Sequence, residues 1–218
     1  MNKKTIVGIV LSAILFILEI IAMVQYATAW GYYDFKYYTL CSNFLAMVFS
    51  GLWIIKNVFK IENKVYHNIL KYLGLTTALC LTVTFVVVLT ILVPLAMNQT
   101  EIVYENGAFY HYVLEMPNLF HHLICPILFV CLFIFVYDYQ YKKYIDNLYS
   151  IIFTILYAIV LIILCAFGVC EPPYPFLDVQ NNTIGMDIVW FIVIIGAAIL
   201  FSLLITFLNS KYKNRKNK

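Results

Sequence analysis

Two short segments of this chain bring together residue types that can carry out an acyl transfer. In Tyr38-Thr39-Leu40-Cys41-Ser42-Asn43, the residues Thr39, Ser42 and Asn43 stand at i, i+3 and i+4, a spacing that puts side chains on one helical face. A threonine hydroxyl becomes a useful nucleophile when a base lies within about 3 Å, and neutral histidine is the usual base. The second segment, Phe120-His121-His122-Leu123-Ile124-Cys125-Pro126, offers one. Neighbouring helical residues point in different directions, so only one of His121 and His122 can face a given partner. Pro126 has no N–H for the carbonyl of His122, four residues earlier, so the helix should be loosened there. Asn43, Ser42 or an unpaired backbone N–H would serve as donors to the oxyanion. A plainer reading of the same polar groups is hydrogen bonding between helices.

These residues must be held by helices in a bilayer. The chain is 64% hydrophobic and only 11% charged, with a mean hydropathy of +0.89, against roughly 45–50% and about 25% for a soluble domain. Apolar runs at 5–28, 38–58, 69–97, 117–137, 148–170 and 184–208 are each long enough to cross about 30 Å of hydrocarbon. Of the 14 Lys and Arg residues, 13 lie in or beside the first, third, fifth and last polar segments; Lys36 is the exception. Basic loops stay cytoplasmic. The expectation is therefore an all-α polytopic protein: one six-helix transmembrane domain over 1–210, a basic cytoplasmic tail over 211–218, and both termini cytoplasmic. Asp34, Glu101, Glu105, Glu115, Glu171 and Asp178 fall in the opposite loops. Trp30, Tyr32, Tyr33, Tyr37 and Tyr38 would anchor one interface, and Tyr137, Tyr139, Tyr141 and Tyr144 the other. The net charge of +3 sits largely in the tail after the last helix, which fits anionic lipid and not nucleic acid. Cleavage of the first helix as a signal peptide is disfavoured by its length and by Glu19.

On this topology Thr39 and His122 lie in the same, extracytoplasmic half of the membrane. Glu19 lies deep in the first span, where a carboxylate is protonated or paired; it would orient a histidine, hold a proton or donate a hydrogen bond. After the fifth span, Pro172, Pro173 and Pro175 stiffen a loop in which Tyr174, Pro175 and Phe176 would form a lid over the bundle mouth. Asp178 would accept a hydrogen bond from His122 or His121. His111, Glu115, His121, His122, Asp34 and Asp178 also raise a metal hydrolase, although no H-E-x-x-H pattern is present. Six cysteines show no C-x-x-C pair; Cys41 and Cys170 are a candidate disulfide. Two N-x-T sequons, at Asn98 and Asn181, fall in or beside the extracytoplasmic loops.

Three motifs carry a family resemblance over essentially the whole chain. Tyr38-Thr39-x-x-Ser42-Asn43 resembles the F-T-x-x-S-N signature of a bacterial family of six-pass integral membrane proteins. His122-x-x-x-Pro126 resembles its H-x-x-x-P element, and Pro172-Pro173-Tyr174-Pro175-Phe176-Leu177-Asp178 resembles its Y-P-Y-P-F-L-D segment, with Pro172 in place of the first Tyr. That family is similar to the animal androgen-induced membrane proteins, threonine hydrolases that cleave fatty acid esters of hydroxy fatty acids. The resemblance implies Thr39 as nucleophile, His122 as general base, no cofactor, and membrane lipids and a hydrophobic ester as partners; it names no protein partner. A lipid-binding protein, transporter or sensor without catalysis is the competing expectation.

Overall fold

In a computed structural model of the chain, residues 1–30, 35–99, 104–141 and 144–216 are described. Tyr32, Tyr33, Asp34, Thr100, Glu101, Lys142, Lys143 and Lys218, and the side chains of Trp30, Arg215 and Lys216, lie outside the described residues. The described residues form helices and connecting turns, with no strand among them. The main helices are α1 (Lys3–Trp30), α2 (Tyr38–Val58), α3 (Lys64–Met97), α4 (Leu119–Phe135), α5 (Tyr144–Ala166) and α6 (Ile184–Lys216). Five of them, all but α4, are long and apolar enough to cross a membrane.

The expected span at 117–137 is shorter than predicted. It consists of six residues of wide π-turn followed by 11 residues of α-helix, roughly 25 Å of rise against about 30 Å of hydrocarbon. The fifth span also shifts: α5 ends at Ala166, not at 170. Gly168 takes φ +68°, and the Val169 N–H reaches back to the Leu164 carbonyl at 2.9 Å, so a left-handed glycine cap closes the helix.

α3 runs through the middle and packs on α2, α4, α5 and α6, while α1 covers α2 and α4. The α2–α3 approach needs Gly74, where a Cβ would stand 2.7 Å from the Phe49 ring. Phe49, Phe129, Phe133, Trp53 and Tyr137 fill the core on that side. Tyr137, Tyr139 and Tyr141, expected as interfacial anchors, are buried instead, and Tyr144 alone of that group is exposed. Tyr137 meets the Ser12 hydroxyl at 2.9 Å, which gives its buried oxygen a partner. The same need explains Asp146, which holds Lys71 at 3.1 Å and the Tyr72 hydroxyl at 3.1 Å. In contrast Ile6, Val10, Ile17 and Val24 leave one side of α1 apolar and exposed, which suits contact with lipid.

Candidate active site

Thr39 lies in the first turn of α2, and His122 in the wide turn that opens α4. Their side chains meet: His122 Nε2 is 3.2 Å from Thr39 Oγ1. His122 Nδ1 lies 2.5 Å from the Tyr112 carbonyl. A carbonyl only accepts, so Nδ1 carries the proton and Nε2 presents its lone pair to the Thr39 hydroxyl. Burial of His122 favours this neutral imidazole. The arrangement is a hydroxyl, a base and an orienting acceptor in series, with a backbone carbonyl in the third place.

Tyr112 was not among the residues picked out by sequence. It lies on a second wide turn, Tyr110–Leu114, in a segment braced by its own contacts. Tyr104 stacks on His111 at 4.9 Å, and Asn118 Nδ2 donates to the His111 carbonyl at 2.8 Å. A backbone acceptor has no signature in residue type, so sequence reasoning had nothing to read there.

Asn43 and Ser42 hold the pair in register, and their donors are already engaged. Asn43 Nδ2 donates to the Thr39 carbonyl at 2.8 Å and to the His121 carbonyl at 3.0 Å. Two carbonyl partners require the amide nitrogen there, which fixes the side-chain orientation. The His121 carbonyl is available because of the wide turn. Cys125 N–H bonds to the Phe120 carbonyl in that register, and Pro126, next in line, has no N–H. The carbonyl left over by Pro126 is thus that of His121, not His122 as expected from α-helical counting. Ser42 Oγ donates to the Thr39 carbonyl at 2.9 Å and therefore accepts from Thr84 Oγ1 at 2.9 Å. Neither residue has a hydrogen left for an oxyanion.

The Tyr174 hydroxyl is the remaining polar group beside Thr39. It accepts the Tyr38 N–H at 3.0 Å and lies beside the Thr39 hydroxyl and N–H. Burial pushes its pKa up to about 12, while the neighbouring Thr39 and the Tyr38 backbone N–H act in the opposite direction. The phenol keeps its proton at neutral pH and is a donor next to the nucleophile. Its ring stacks on Phe176 at 5.0 Å and 6° and meets Tyr37 edge-on at 6.2 Å. Pro175 and Tyr174 line the mouth above Thr39, and Phe176 lines an apolar slot on its other side.

The remaining candidates sit elsewhere. Asp178 does not reach either histidine; its carboxylate accepts from Asn181 Nδ2 at 2.9 Å and 3.1 Å within its own loop. His121 turns away from His122 towards α1, where its Nε2 is 3.7 Å from Glu19 Oε2. Both side chains are buried, and neither has a hydrogen-bond partner on its polar side-chain atoms. His111 pairs with Glu115 at 2.6 Å on the rim. Of the residues weighed for a metal site, Asp34 lies outside the described residues; the others are dispersed, and among the described residues no three His, Cys, Asp or Glu side chains come together. The six cysteines are free. Cys41 donates to the Phe35 carbonyl at 3.1 Å, and Cys170 faces Cys165 at 3.6 Å, so the pairing weighed between Cys41 and Cys170 is not made. Comparison with known proteins finds no matching family model, no matching curated protein and no matching solved structure.

Proposed function

We propose that this chain is a multi-pass membrane hydrolase of lipid esters, with Thr39 as nucleophile and His122 as general base. The observation that carries the reading is the 3.2 Å contact between Thr39 Oγ1 and a His122 whose other nitrogen is held by Tyr112. Thr39 Oγ1 attacks the ester carbonyl and His122 Nε2 takes its proton. The carbon–oxygen bond to the alcohol breaks, and His122 returns the proton to the departing oxygen. Water, deprotonated by His122, then cleaves the acyl-threonine; the fatty acid leaves and Thr39 regains its proton. Tyr174 donates to the oxyanion in both steps. The motif resemblance at 38–43, 122–126 and 172–178 supports the same pair.

In this reading all six helices cross the bilayer, α4 with local thinning, a modest cost. Both termini are cytoplasmic and the site lies in the extracytoplasmic half. The charge asymmetry of the loops supports this orientation. Purified protein should hydrolyse esters, and Thr39→Ala or His122→Ala should lower kcat/KM by about 10³-fold or more. A fluorophosphonate probe should label Thr39. Full activity in either variant removes the mechanism.

A non-catalytic role in lipid binding, transport or sensing is the second reading. Buried Glu19 and His121, facing each other without hydrogen bonds, favour it, because ionisable groups inside a membrane often mark proton or substrate paths. Saturable lipid binding without hydrolysis across a broad ester panel would decide for it.

A further inference from the structure

Thr39 lies where two unlike spaces meet. Thr39, Leu92 and Tyr174 line both of them. One is an apolar slot of about 60 Å³, bounded by Val83, Val87, Val88, Ala158, Leu177 and Ile194. Its hydroxyl-bearing walls are already occupied: Thr84 donates to Ser42, Thr154 pairs with Tyr38 at 2.7 Å, and the Tyr157 hydroxyl bonds to the Lys36 carbonyl. The slot therefore presents hydrocarbon. A second cleft shares Ala158, Phe176, Leu177 and Ile194 with it and continues between α5 and α6 past Ile162 and Phe191. Together they form a narrow, mainly apolar track, with Asp187 the charged residue in its far part.

The other space, the mouth, holds about 330 Å³; Gln99, His111, Asn118 and His122 supply polar groups to it among apolar walls that include Leu95 and Pro173. None of the described residues lining it is Lys or Arg, and His111 is already paired with Glu115. It suits a compact, neutral, hydrogen-bonding group and offers no cation for a phosphate or carboxylate.

The chemistry decides which part of an ester goes where. The base must return its proton to the departing alcohol oxygen, so the alcohol lies on the side of His122. His122 lines the mouth and not the slot. The acyl chain therefore occupies the apolar track, and the alcohol faces the polar mouth.

We propose that the substrate is a single-chain acyl ester of a compact, uncharged polyol, such as a monoacylglycerol or an acylated sugar. The inference rests on the reading of Thr39 and His122 as the hydrolytic pair. An ester of a hydroxy fatty acid fits poorly, because its alcohol part would place a carboxylate in a mouth whose described lining offers no Lys or Arg.

The test uses the full chain in lipid nanodiscs and three esters sharing one dodecanoyl group: on glycerol, on a hydroxy fatty acid, and on glycerophosphoglycerol. Thr39 labelling by a fluorophosphonate is read in parallel. The glycerol ester should be preferred over both others by about tenfold or more in kcat/KM. Equal or better hydrolysis of either other ester overturns the substrate assignment and leaves the catalytic pair standing. No hydrolysis of any ester, with Thr39 still labelled, does the same. No hydrolysis and no labelling overturns both. Ala158→Phe narrows the track, and it should shift the dodecanoyl-to-butanoyl preference on glycerol by about tenfold towards butanoyl. Ile194→Trp, from a different helix, should shift it in the same direction. An unchanged preference in variants that still label at Thr39 overturns the placement of the acyl chain.

Discussion

Replacing Tyr174 by Phe removes one oxygen and little else. The ring contacts to Phe176 at 5.0 Å and Tyr37 at 6.2 Å persist, so the lid keeps its shape. Two things are lost: the acceptor for the Tyr38 N–H and the donor beside Thr39. Leaving a buried N–H without an acceptor costs about 1–3 kcal/mol of stability. Loss of an oxyanion donor costs about 10²–10³ in kcat, and because the donor acts on the transition state, KM should hardly move. The assay is steady-state hydrolysis of a short-chain chromogenic ester by wild type and Tyr174→Phe, with thermal unfolding of each. A kcat within about threefold of wild type would refute the donor role. So would a raised KM at unchanged kcat, since that pattern belongs to a lid that only binds. The hydroxyl also makes a prediction about pH. Its folded pKa, about 12, lies above the ordinary 10.0, so the folded state holds this proton more tightly. Stability from this group is complete below pH 10 and falls as pH rises towards 12; Tyr174→Phe should lose that alkaline slope.

Asn43→Asp places a carboxylate against the Thr39 and His121 carbonyls and removes both donated bonds. The melting temperature should fall, with a loss of about 1–3 kcal/mol from the orphaned His121 carbonyl, the Thr39 carbonyl keeping the Ser42 hydroxyl, and Thr39 labelling should drop; a variant with unchanged melting and labelling would show that Asn43 does not hold the pair. Lys71→Met removes the ammonium that Asp146, 6% exposed in its side chain, holds at 3.1 Å, and should cost about 1.5–3 kcal/mol, as for a hydrogen bond to a charged group. Lys71→Met with Asp146→Asn should recover most of that loss in denaturant or heat unfolding, and failure to recover would mean the charge pair is not the cause. Mild oxidation should link Cys165 to Cys170, whose sulfurs stand 3.6 Å apart, and peptide mapping that finds Cys41 joined to Cys170 instead would contradict the loop geometry. Fluorescent protein fused after residue 218 should mature and glow in the cytoplasm, whereas an active periplasmic reporter at that position would invert the topology.

Much of the helical plan was legible from local composition. The span at 38–58 has the predicted limits, because its apolar run begins and ends abruptly between polar segments. The early end of α5 carried a sign too, since Gly168 supplies the left-handed cap that a run of hydropathy ignores. The shortening at Leu119–Phe135 did not: Pro126 is visible, but the donor that meets the carbonyl freed by the wide turn is Asn43, reaching across from α2. Residue type and spacing singled out Thr39 and His122, because hydroxyls and imidazoles are conspicuous in hydrocarbon-rich sequence. Their meeting, across 83 residues, is a property of helix packing. So are the Tyr112 carbonyl on His122, the use of the Ser42 and Asn43 donors for holding and not for catalysis, and the separation of Asp178 from the histidines. Sequence determines which groups are costly to leave unpaired in an apolar medium; only the packed helices decide which partner each one finds, because that choice rests on distances between residues far apart along the chain.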